Sequence, residues 1–102
     1  MIVEFLTSLR GGMNDPTTAA SLTALIANAD HDTTSRDALV AIAIDRCGAL
    51  NTLLTNTDTT VTQDDFAHLV SPVFFQRFIA RQLVTDALID QAVTNWLAAN
   101  RT

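Results

Sequence analysis

Apolar residues recur along this chain at spacings of three and four, the period of an α-helix, and polar clusters divide them into five segments. Residues 2–10 carry Ile2, Val3, Phe5, Leu6 and Leu9, and Gly11-Gly12 is the expected stop. A helix that begins at residue 1 or 2 with no capping side chain reads as a cut end, with the native element starting upstream. Asn14-Asp15-Pro16 predicts the next start, with Asp15 as cap and Pro16 at the first helical position. That helix runs to about Asn28 and places Ala19, Leu22, Leu25, Ile26 and Ala29 on one face. Asp30-His31-Asp32 breaks it, and Asp32 or Thr33 caps the next helix.

The third predicted helix, about Thr34 to Thr55, is the longest. Leu39, Val40, Ile42, Ala43, Ile44, Cys47, Leu50, Leu53 and Leu54 cover roughly 200° of its circumference, interrupted by Arg46 and Asn51. Asn56 to Thr60 is a polar loop. Thr62 then caps a helix with Asp64 and Asp65 in its first turn, where the helix dipole favours acids. It is expected to run through FAHLVSPVFFQRFI to about Gln82, kinked near His68 to Ser71 because Pro72 removes a backbone donor. Most of its apolar residues share one broad side, but Phe75 and Ile79 point elsewhere. After the cap at Thr85, Leu88, Ile89, Ala92, Val93, Trp96, Leu97 and Ala99 form the last apolar face.

Composition supports an all-α fold, since helix formers dominate and there are only three glycines and two prolines. At 102 residues the chain is a single domain, and 48% apolar content excludes a disordered one. Its apolar runs fall short of the roughly 18 residues that a membrane helix needs. MIVEFL has Glu4 inside it and no basic flank, so it is a poor signal peptide. Cys47, the one cysteine, has no internal partner, and a reducing cytoplasm is expected. Six arginines against eleven acids give a net charge of −5, and those arginines are scattered. Such a chain is not expected to bind DNA by itself. The absence of lysine beside abundant Ala, Thr and Asp suggests a bacterial source of GC-rich coding.

Candidate chemistry is thin. Asp64 and Asp65 lie four and three residues before His68, but one helical turn holds a metal ion only if another element adds ligands. Asp30-x-Asp32-x-Thr34 starts like a calcium loop, yet Ser35 stands at the turn glycine and Ala41 at the bidentate glutamate. Cys47 sits on an apolar arc that quiets a thiol, and neither His31 nor His68 is tied to it. No catalytic residue, metal or cofactor is therefore expected. Arg46 and Arg77 each project from an apolar arc. The favoured reading is a salt bridge or a side chain that snorkels outward; the alternative is an anchor for an acidic or carbonyl ligand.

The order of elements resembles the C-terminal domain of the TetR-like bacterial transcriptional regulators. SPVFFQRFI is similar to the stretch of small residue, proline, apolar residues and arginine in that family's penultimate helix, and LIDQAVTNWLAA to its closing helix. The resemblance implies an effector-binding and dimerisation domain: about five antiparallel helices in an orthogonal bundle, the last two making a four-helix dimer interface. It implies a homodimer, a small and mostly apolar effector, and contact with DNA only through a helix-turn-helix domain absent from this chain. Interface candidates are Phe74, Arg77, Phe78, Leu88, Val93, Trp96 and Leu97. Pocket candidates are Phe5, Leu9, Leu22, Ile26, Ile42, Arg46, Cys47, Leu50 and Phe66. The rival readings are a small helical metal-binding protein or enzyme using Asp64, His68 and Cys47, and a purely structural dimerisation module.

Overall fold

A computed structural model describes residues 1–100, which are all-α. The helices are α1 (Ile2–Asn14), α2 (Pro16–Asn28), α3 (Thr33–Leu53), α4 (Gln63–Phe74, prolonged by a π-helical turn, Phe75–Ile79) and α5 (Asp86–Ala99). Local chemistry sets four of the starts. Asp15 accepts the Thr18 backbone N–H at 2.9 Å and its hydroxyl at 3.0 Å, and these bonds hold its carboxyl below the usual range. Asp32, not Thr33, caps α3; the Ser35 hydroxyl donates to it at 2.7 Å and the Thr34 amide at 3.2 Å. Thr62 and Asp65 form a reciprocal capping box at α4, and Thr85 accepts from the Leu88 amide at α5.

The core is built by α1, α4, α5 and the C-terminal half of α3. Phe5, Leu6 and Met13 meet Leu50 and Leu54, then Phe66, Leu69 and Val73, then Ile89, Val93 and Trp96. Leu6, Leu50, Leu69 and Val73 are completely buried. Each such side chain contributes about 1.5–3 kcal/mol of burial. No α2 side chain belongs to this cluster among the described residues; Ala19, buried at its first turns, lies outside it.

Helix α1 does not stop at Gly11-Gly12 but runs two residues further. Two interior glycines cost about 0.8–1 kcal/mol each relative to alanine. Tertiary anchors offset this: Met13 is buried, its carbonyl accepts from Arg77 Nε at 2.8 Å, and Asn14 bonds to Val84. Arg77 therefore has an acceptor within its own chain, at the negative end of α1.

The broad apolar arc of α3 is only partly covered. Cys47, Leu50 and Leu54 enter the core, whereas Val40, Ile42, Ile44 and Leu53 remain 39–56% exposed. The first half of α3 packs on α2, and the two form a hairpin that leans on the rest of the fold. This contributes to the long outline, 40 × 27 × 20 Å.

The helix stays α-helical through Pro72, where a kink was expected, and a change in its hydrogen-bond pattern comes one turn later. There the Ala80 amide donates to the Phe75 carbonyl, five residues back, at 2.9 Å. The helix ends at Ile79 rather than near Gln82, closed by Arg81 in the left-handed conformation (φ 59°) and a Gln82-to-Gln76 bond of 3.0 Å. No helix is long and apolar enough to cross a membrane among the described residues.

Candidate functional site

A cavity of 530 Å³ opens between the α2–α3 hairpin and helices α1 and α4. Leu9, Gly12 and Met13 come from α1, Thr18, Leu22 and Ile26 from α2, and Leu39, Ile42, Ala43 and Arg46 from α3. Helix α4 closes it with Gln63, Phe66, Ala67, Val70 and Phe74. Ligand cavities are commonly of this size, apolar, with a few placed polar groups. Here the polar side chains are Thr18, Gln63 and Arg46, and the Thr18 hydroxyl is already committed to the Asp15 cap.

Arg46 is the only charged residue in this lining. Its Nε and Nη2 donate to Asp45 Oδ2 at 3.0 and 2.7 Å. Both partners are well exposed, so the pair is worth about 0–1 kcal/mol. The Arg46 side chain is 44% exposed even though the residue lines the cavity, which fits a guanidinium that snorkels toward water.

Six of the nine residues expected at a pocket line this cavity: Leu9, Leu22, Ile26, Ile42, Arg46 and Phe66. Leu50 and Cys47 lie behind its wall in the core. Burial pushes the Cys47 thiol above its ordinary value, and its sulfur faces the Val61 carbonyl at 3.6 Å. Phe5 is also in the core, edge-on to Phe66 at 6.1 Å, and borders a second cavity instead. Sequence reasoning missed the other lining residues, among them Met13, Leu39, Val70 and Phe74. Met13 continues the spacing Ile2, Leu6, Leu9, Met13, a signal hidden by reading Gly11-Gly12 as a stop.

The expected interface residues scatter. Val93 and Trp96 are buried in the chain's own core, and Trp96 Nε1 donates to the Asp65 carbonyl at 3.0 Å. Phe74 and Phe78 stack on one another at 5.5 Å, half-buried, and Phe74 lines both the cavity and an outer groove that it shares with Phe75, Phe78 and Ile79. Leu88 and Arg77 are half-buried, and Leu97 is exposed. The large apolar residues on the outer surface of this end are Phe75, Ile79 and Leu83, of which Phe75 is 60% and Ile79 68% exposed. No group of three or more His, Cys, Asp or Glu that could hold a metal ion occurs among the described residues. Compared with protein-family models, curated proteins and solved structures, the chain matches none of them.

Proposed function

We propose that this chain is a ligand-sensing helical domain that takes up a small, mainly apolar molecule between the α2–α3 hairpin and the α1–α4 wall. The observation that carries this reading is the apolar cavity itself, bounded by a hairpin whose α2 half adds no side chain to the main core. A ligand there would supply the contacts that α2 and the first half of α3 lack. It would favour the arrangement in which the hairpin is closed on α4, which is how binding energy becomes a conformational signal.

The likeness of SPVFFQRFI and LIDQAVTNWLAA to the TetR-like regulators extends the proposal. In that setting the domain is the effector-binding and dimerising part of a bacterial transcriptional regulator, and the DNA reader is a separate helix-turn-helix domain. Exposed Phe75, Ile79 and Leu83, at the end of α4 and in the segment after it, favour association with a second copy through this end of the molecule.

The neutral dye Nile red tests the cavity. Binding is expected to raise and blue-shift its fluorescence, and Ala43→Trp, which fills the cavity from α3, is expected to weaken binding about tenfold or more. Absence of dye binding, or binding indifferent to Ala43→Trp, would reject the reading.

A further inference from the structure

Arg46 stands where two cavities meet. It lines the apolar cavity beside Ile42 and Ala43, and it also lines a second one of 580 Å³ along α1, whose rim carries Glu4 and Ser8. Its observed partner, Asp45, is the preceding residue, and both bonds end on a single oxygen of that exposed carboxylate. Water competes freely for such a pair, so Asp45 holds the guanidinium loosely. A ligand carboxylate arriving from the apolar side would be partly shielded from water and could take two parallel N–H bonds, the geometry that guanidinium matches best. One cation also balances only one negative charge, which favours a monoanion over a dianionic phosphate.

Resting on the cavity reading above, we propose that the ligand is an amphiphilic monocarboxylate. Its apolar body fills the cavity under α2 and α3, and its carboxylate takes Arg46 from Asp45 at the junction of the two cavities. Asp45 is then an internal competitor that sets the affinity.

Displacement of Nile red by decanoate and by decan-1-ol tests this, because the two share an alkyl chain and differ in the charged end. Decanoate is expected to displace the dye at about tenfold lower concentration than decan-1-ol. R46Q should bring the two together, and D45N, which removes the competitor, should widen decanoate's advantage. Equal displacement by both compounds in the parent protein, an advantage that survives R46Q, or one that narrows in D45N overturns the carboxylate assignment and leaves the cavity reading intact. Failure of both compounds to displace a dye that does bind also overturns the assignment. Failure of the dye itself to bind removes the cavity reading and this inference with it.

Discussion

Asn51 grips the backbone of Val61 from both sides: its Nδ2 donates to the Val61 carbonyl at 2.9 Å, and the Val61 amide donates to its Oδ1 at 2.8 Å. The side-chain amide thus stands in for a strand neighbour and ties the end of α3 to the loop that leads into α4. Asn14 does the same for Val84, accepting from its amide at 3.1 Å and donating to its carbonyl at 3.3 Å. Both valines are buried, so each clamp satisfies loop backbone that water cannot reach.

Removing the first clamp should be costly. Asn51→Ala leaves the buried Val61 amide without a partner and its carbonyl with only the weak Cys47 thiol donor, and is expected to destabilise the fold by about 2–3 kcal/mol. Urea unfolding reads this directly. A loss below about 0.5 kcal/mol would show that the loop is held by other contacts.

Arg81 offers a change in the opposite direction. A side chain at φ 59° carries a steric cost that glycine lacks, partly returned by glycine's larger unfolded-state entropy. Arg81→Gly is expected to stabilise the protein by about 0.5–1 kcal/mol, seen as a higher thermal midpoint. A lower midpoint would mean that the arginine side chain makes a contribution exceeding its strain.

The chain has no tyrosine and its six basic residues are all arginine, so Cys47 is the one side chain that titrates between about pH 8 and 12. Its folded pKa is raised above the ordinary value of 9.0 because burial penalises the thiolate. Stability from the neutral thiol is fully present below that ordinary value, where both states hold the proton, and is lost as pH rises from it toward the folded pKa. The unfolded chain sheds this proton first, so the parent protein should lose stability relative to Cys47→Val as pH climbs above about 9, with no such pH-dependent difference near neutrality. Parallel pH dependence of the two proteins would contradict that sign.

Self-association is expected to depend on the outer face of the π-helical turn. Phe75→Glu and Ile79→Glu lie on the surface and should leave the fold intact while shifting a dimer to monomer in sedimentation velocity. A parent protein that sediments as a monomer at tens of micromolar would rule out the dimer.

Five helices and their caps were legible in the sequence because these are local properties: a period of 3.6, and capping bonds that Asp15, Asp32, Thr62 and Thr85 make within three residues. Tertiary structure decided what local rules cannot reach. Gly11 and Gly12 stay helical because Met13 and Asn14 are held by Arg77 and Val84, 64 and 70 residues away. Asn51, a polar intruder on an apolar arc when read along α3, is matched by a loop amide and carbonyl that only folding brings alongside. Likewise nothing in the periodicity of α3 distinguishes Leu50, fully buried, from Ile44, exposed, because burial depends on whether another element supplies a covering face. The stretch around Phe74 to Phe78 shows the same division. Its excess of apolar surface was evident from the sequence, but only packing assigned Phe74 to the cavity, Phe78 to the edge of the core and Phe75 to the surface.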